Sequence, residues 1–193
     1  MNSLPRTYFE DVYRAHDDPW KFETSPYESA KYDATLEALP RARYHSAFEI
    51  GCSLGVLTER LAPRCNQLLA VDTIVSVLDR AKRRCRRFPQ VRFQQLHLPA
   101  DFPDEMFDLV VLSEVGYYFS MDILTSVRDD IIASLIPGGH LLLVHWTPFV
   151  ADYPLTGDQV HETFLASSGS GGALRHLLDG RQETYRLDLF ERT

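Results

Sequence analysis

The stretch Phe48-Glu49-Ile50-Gly51-Cys52-Ser53-Leu54-Gly55 narrows the possible folds more than any other part of the chain. An apolar strand ends in an acidic residue and runs into a turn carrying two glycines. The next apolar segment, Leu68-Leu69-Ala70-Val71, ends in a second acid, Asp72. Glycine lets a backbone bend tightly and approach a ligand closely, and a carboxylate can accept two hydrogen bonds from ribose hydroxyls. The layout predicts a nucleotide-type cofactor site on a parallel α/β sheet. Gly51 and Gly55 are four apart, with Ser53 where a further glycine is common. That spacing departs from the G-x-G-x-x-G dinucleotide fingerprint and argues against an oxidoreductase using NAD.

Strands and helices alternate through the rest of the chain. Tyr27 to Leu39 reads as a helix, with Ser25 as N-cap, Pro26 at its first position and Pro40 as its stop. A strand closes at Phe48-Glu49-Ile50. A helix from Val56 to Leu61 follows the glycine turn and ends before Pro63. The strand Leu68–Val71, a helix from Ile74 to Arg87 and the strand Val91–Leu96 come next. Phe107 to Leu112 is almost wholly apolar, as a strand buried on both faces should be. Met121 to Ile136 reads as a helix broken by Pro137-Gly138-Gly139, and His140 to Trp146 as a fifth strand. Beyond it come a Pro- and Tyr-rich loop, a short helix near Gly157 to Ala166 and a Gly/Ser stretch, 167–172, that reads as flexible. Tyr185 to Phe190 alternates in polarity like an antiparallel strand at a sheet edge. Alternation of this kind implies a parallel sheet with crossover helices.

With 193 residues the chain is expected to form one domain, 1–193, with an N-terminal cap segment, 1–45, and a core, 46–193. A net charge of −7 disfavours a general nucleic-acid surface and suits a small neutral or cationic substrate. The basic run Arg80, Lys82, Arg83, Arg84, Arg86, Arg87 lacks interleaved aromatics and reads as a solvated helix face. No apolar run is long enough to span a membrane, and the N-terminal residues lack a signal-peptide core. Cys52, Cys65 and Cys85 form no C-x-x-C pair and no cluster with histidine, so a reducing, cytoplasmic setting without a metal site is expected.

Glu49, Gly51, Gly55 and Asp72 at successive strand ends resemble motifs I and II of the class I S-adenosylmethionine (SAM) methyltransferases. Further segments resemble the nodulation protein S (NodS-like) branch of that family: Asp17-Asp18-Pro19-Trp20, Tyr27-Glu28, Leu61-Ala62-Pro63, Phe107-Asp108-Leu109, Ser113-Glu114-Val115, Tyr117-Tyr118 and Pro137-Gly138-Gly139-His140-Leu141. The resemblance runs from about residue 16 to about 145 and is weakest from Thr147 on. It implies a Rossmann-like α/β fold, with a mostly parallel seven-stranded sheet, helices on both faces and an antiparallel C-terminal edge strand. It also implies SAM as cofactor, S-adenosylhomocysteine as product, and N-methylation of a free amine on an amino sugar or deacetylated oligosaccharide. O-methylation of a sugar or natural product is the alternative enzyme, and a SAM-binding protein without turnover is the rival from another class.

Ligands in such sheets sit outside the carboxyl ends of the strands. That rule directs five loops to one crevice: Gly51–Gly55, Asp72–Ile74, His97–Leu98, Ser113–Tyr118 and His145–Thr147. On the cofactor side, Glu49 is expected near the methionine amino group, with Gly51, Cys52, Ser53 and Gly55 forming the turn. Asp72 suits the ribose, or caps the following helix. Thr73 and Ile74 would line the adenine, although Ile74 suits the core equally. Leu98 would offer its backbone N–H to the ring, and His97 stands where relatives often carry an acid. Ser113 completes the set. Trp20 and Tyr27 belong to an aromatic N-terminal segment that would either close over the cofactor or pack on the sheet.

On the acceptor side, Glu114 would hold the amine or take its proton, or serve as a structural carboxylate. Tyr117 would wall the substrate or simply pack, as would Tyr118. His145 is a second candidate base, because an ordinary histidine titrates near neutrality, or a structural residue, and His161 and Asp158 on the late helix would serve as lid or substrate contacts. A hydroxyl acceptor would lean harder on a base or a metal than an amine does.

Overall fold

A computed structural model describes residues 2–193. The chain divides into two compact units.

The first unit, Pro5–His97, holds α1 (Arg6–Ala15), α2 (Pro26–Glu37), β1 (Tyr44–Ile50), α3 (Val56–Leu61), β2 (Cys65–Asp72), α4 (Val75–Arg84) and β3 (Val91–Gln95). Its strands run parallel in the order β3-β2-β1, with Ile50 opposite Val71 and Asp72 opposite Gln95. Both acids therefore stand at carboxyl ends of neighbouring strands. α2 begins as its sequence dictates: the Ser25 side chain accepts from the Glu28 amide and Pro26 fills the first turn. The helix α1 was not anticipated. Its signal is a stripe of Phe9, Val12 and Tyr13 at helical spacing after Pro5. The basic run covers the C-terminal part of α4 and the residues just after it, and three of its arginines share two glutamates. Arg84 pairs with Glu23 and Glu59, Arg80 with Glu23, and Arg87 with Glu59.

The second unit runs from Leu98 to Thr193 and, among the described residues, includes 2–4. It holds β4 (Phe107–Ser113), a 3₁₀ turn (Gly116–Tyr118), α5 (Met121–Ser134), β5 (Leu135–Trp146), α6 (Gly157–Leu165), β6 (Leu174–Arg181) and β7 (Tyr185–Arg192). β4 and β5 are parallel, and β7 is antiparallel to both β5 and β6. β5 starts earlier than expected. Leu135 pairs with Phe107, the Pro137-Gly138-Gly139 turn is extruded as a bulge, and pairing resumes at His140 opposite Leu109. A reciprocal capping box between Thr156 and Gln159 starts α6.

The antiparallel C-terminal strand is present, and β6, which the sequence did not reveal, pairs on its far side. β6 was hidden because its residues, Leu174 to Arg181, are mostly polar or exposed. β7 in turn buries Arg186 and Asp188 beside Leu187, Leu189 and Phe190, so its alternation does not separate a dry face from a wet one. Among the described residues no helix is long and apolar enough to cross a membrane.

Candidate active site

In the first unit the turn after β1 is built on three residues with positive φ: Gly51 at 76°, Ser53 at 48° and Gly55 at 74°. The amides of Gly51 and Cys52 both donate to the Val71 carbonyl at 2.8 Å, which ties the turn to β2. Gly55 is glycine for two reasons. Its φ disfavours a side chain, and a Cβ there would lie 2.8 Å from Ala81 Cβ on α4. Ser53 takes the left-handed conformation without being glycine. Its hydroxyl lies 2.5 Å from the Tyr13 hydroxyl, and its amide donates to Asp72 Oδ2 at 2.9 Å.

Asp72 joins the two loops. Its Oδ1 accepts from the Ile74 amide at 3.0 Å while Oδ2 holds Ser53. The cap role and the turn role therefore coexist in one carboxylate. Burial raises its pKa, and the backbone N–H groups of Ile74, Ser53 and Thr73 oppose that rise. Ile74 is buried and Thr73 half-buried beside it. The Cys52 side chain turns into the core against Ala70 and Leu78, so only its backbone faces the turn. His97 is exposed and Leu98 half-buried.

Glu49 is buried at the end of β1, and its Oε2 has no hydrogen-bond partner among the described residues. Burial pushes its carboxyl up to about 8; the nearby Thr58 hydroxyl opposes this and the Asp72 charge adds to it. A buried carboxylate oxygen left unsatisfied is costly unless a cation or donor arrives. The site therefore fits a cofactor with an ammonium group near Glu49 and hydroxyls near Asp72.

Aromatic side chains stand beside this turn. Tyr13 on α1 meets Trp20 edge-to-face at 5.4 Å, and Trp20 stacks on Phe22 at 5.5 Å. Asp18 fixes the bend by accepting the Phe22 and Glu23 amides at 2.8 and 2.9 Å, next to Lys21 with φ 58°. Burial, followed by the Asp72 charge, raises the Tyr13 hydroxyl pKa. Tyr13 was missed in the sequence because it precedes every motif. Tyr27 lies on α2 with its ring over the Lys31 ammonium, 5.3 Å from centroid, and Lys31 forms a buried ion pair with Glu28 at 3.0 Å.

In the second unit Ser113 closes β4 and Glu114 follows with φ 58°, a conformation rare for a glutamate. Its amide donates to Val144 O at 2.8 Å. Its Oε2 accepts the Tyr117 hydroxyl at 2.5 Å and the Trp146 amide at 3.0 Å. Tyr117 stacks on Tyr153 at 5.0 Å and meets Tyr118 edge-to-face at 4.7 Å. Burial, then the neighbouring Glu114 charge, drives the Tyr117 hydroxyl pKa well up, so it stays a donor. One half-buried carboxylate beside three tyrosine rings is suited to an ammonium-bearing ligand. Tyr153, in the Pro- and Tyr-rich loop, carried no motif.

His145 does not have the geometry of a base. It is fully buried; its Nε2 accepts the Gly116 amide at 3.1 Å, and its Nδ1 lies 3.1 Å from His161 Nε2. With both ring nitrogens occupied, it has no lone pair to offer a substrate. His161 is equally buried and bonds to Asp188, while Asp158 pairs with Arg181 and Arg186.

Residues 10–144 match the family model for nodulation protein S (NodS). The chain is 33% identical to nodulation protein S of Rhizobium tropici over 131 residues, 66% of this chain and 55% of that protein. It is 32% identical to an uncharacterized methyltransferase of Mycobacterium tuberculosis over 132 residues, 66% of this chain and 61% of that one. The chain thus spans little more than half the length of the curated relatives it matches.

Its structure superposes on the N-methyltransferase NodS of Bradyrhizobium japonicum WM9 in complex with S-adenosyl-L-homocysteine. The TM-score is 0.83 at 26% identity, covering 95% of this chain and 97% of that one. A crystallised methyltransferase of Pseudomonas syringae is 37% identical, with a TM-score of 0.74 over 86% of this chain and 99% of that one. The fold is that of the class I methyltransferases, a seven-stranded mixed sheet with helices. The chain belongs to the nodulation protein S family.

Proposed function

We propose that the protein is a SAM-dependent methyltransferase whose acceptor is the free amine of a small molecule, an amino sugar or deacetylated oligosaccharide. The observation that carries the amine is Glu114, held beside Tyr117, Tyr118 and Tyr153. The N-methyltransferase structure with bound S-adenosyl-L-homocysteine supports the cofactor, as does the unsatisfied oxygen of Glu49.

SAM, when bound, supplies a methyl group on a positively charged sulfur. Glu49 would hold its ammonium group and Asp72 its ribose hydroxyls. Ile74 would border the adenine, with Thr73 alongside. Trp20 and Tyr13 would exclude water from the glycine turn. Alignment of reactants of this kind is worth roughly 7–11 kcal/mol of barrier.

An amine bound as its ammonium must lose a proton to become nucleophilic. The donors Tyr117 and Trp146 on Oε2 fix the plane of the Glu114 carboxylate, and Glu114 takes that proton. The freed amine would displace the methyl group from the sulfonium, the new N–CH₃ bond forming as the S–CH₃ bond breaks, which leaves a neutral thioether, a methylated ammonium and the first proton on Glu114.

The test is mass spectrometry with methyl-labelled SAM and paired chitin oligosaccharides, one with a free amine and one fully acetylated. Label on the free-amine sugar alone is the expected result. Label on both sugars would indicate a hydroxyl acceptor. Label on neither, with SAM binding confirmed, would overturn the amino-sugar reading.

A further inference from the structure

A continuous line of buried side chains in the second unit begins at the segment that carries Glu114. The Gly116 amide can only donate, so Nε2 of His145 accepts and its proton sits on Nδ1. That Nδ1–H donates to His161 Nε2 at 3.1 Å. His161 then carries its proton on Nδ1 and donates to Asp188 Oδ2 at 2.5 Å. Asp188 Oδ1 bonds to His176 Nε2 at 2.7 Å. Arg186 Nε lies 2.8 Å from Oδ2 but off the hydrogen-bond direction, an ion contact rather than a further bond. The tautomers of the two histidines, on β5 and α6, are thereby set from both ends, by the Gly116 amide and by the Asp188 carboxylate on β7.

His145, His161 and Asp188 are fully buried. Apolar residues could fill the same volume without the desolvation that such a network costs. The near end explains the choice of glycine at 116. A Cβ there would lie 2.9 Å from His145 Nε2 and 2.5 Å from Val160 Cγ1. The segment it holds is strained, since Glu114 has φ 58°. Two amide bonds restrain it around Glu114, to Val144 O and to His145 Nε2.

We propose that His161 and Asp188 are positioning residues. Through the tautomer of His145 they fix Gly116, and with it the orientation of Glu114 and Tyr117. The link to turnover rests on the function proposed above; the link to the segment does not.

The test is His161→Phe, which keeps an aromatic ring but cannot accept the His145 proton. Its readouts are the ring ¹⁵N resonances of His145 and amide exchange at Gly116. The expected result is a mixed or reversed His145 tautomer and at least about tenfold faster exchange at Gly116. The kcat on a free-amine acceptor should fall about 10–100-fold with the Kd for SAM unchanged, because displaced reacting groups cost that much. A purely structural role would lower Tm while leaving the tautomer, exchange and kcat in place, and that result overturns the proposal.

If His161→Phe does not fold, Asp188→Asn is measured on the same nuclei. Wild-type tautomers and exchange there would overturn the proposal equally. If the wild type methylates no amine, the acceptor reading fails, and the ¹⁵N and exchange measurements still decide whether the line controls the segment.

Discussion

Two buried carboxylates, one in each unit, have opposite surroundings. Glu49 in the first unit has an oxygen with no partner, and burial pushes its carboxyl up to about 8. Asp188 in the second is at least as buried. There burial alone would also raise the pKa, but bonds from His161 and His176 and the Arg186 charge outweigh it and hold the carboxyl below its ordinary range. A satisfied buried charge is part of the protein's own framework. An unsatisfied one marks a place where the protein lacks a partner that a ligand supplies. The contrast separates the proposed binding group from the proposed positioning group without reference to any motif.

The largest effect should come from Glu114→Gln. The proposed proton transfer is worth on the order of 10²–10⁴ in kcat. That loss is expected with the Kd for SAM unchanged, measured by labelled-methyl transfer and calorimetry. Full turnover in this variant would remove Glu114 from the chemistry and leave the second unit without a proton acceptor.

Asp72→Ala comes next. It removes the acceptor of the Ser53 and Ile74 amides, and hydrogen bonds to a charged group are worth about 1.5–3 kcal/mol each. A fall in SAM affinity of at least about 100-fold is expected by calorimetry. An unchanged Kd would reduce Asp72 to a helix cap.

Glu49→Gln tests the contrast directly. In the unfolded chain a glutamate titrates near its ordinary 4.5, whereas folded Glu49 titrates at about 8. The folded state therefore binds the extra proton between those values, and stability is lost as pH rises from about 4.5 to about 8. Asp188 has the opposite sign: its stabilising contribution is present above the unfolded pKa and is lost as pH falls through the folded one. Glu49→Gln should raise the Tm of the ligand-free protein at pH 8, change it little near pH 4.5, and weaken SAM binding at both. Equal Tm shifts at the two pH values would show that Glu49 is not the proton-binding group.

Ser53→Gly should do least. It relieves a positive φ, worth about 1–2 kcal/mol, and loses the Tyr13 hydroxyl bond, worth about 0.5–1.5 kcal/mol. The two nearly cancel in a denaturation midpoint. A clear loss of stability would make the Tyr13 contact a principal anchor of α1.

The glycine turn and its neighbouring acid were legible in the chain because their geometry is made of backbone. Gly51 and Gly55 require positive φ, and Asp72 terminates the neighbouring strand, so short-range spacing carries the information. Glu114 was legible as a carboxylate at a strand end. Its clamping by Tyr117 and Trp146 was not, because the Trp146 amide is 32 residues away.

His145 shows the limit of reading by residue type. Its chemistry suggested a base, whereas its neighbours in space make it a link between Gly116 and His161. β6 escaped because an exposed strand needs little apolar residue to form once β7 offers its edge. The sequence alone determined the alternating α/β pattern and the glycine turn, since local backbone preference and periodicity act over a few residues, and its motifs carried the resemblance to the family. Tertiary structure alone decided which buried carboxylate lacks a partner and which histidine has no free nitrogen. Both depend on desolvation and on contacts between residues that only the folded chain brings together.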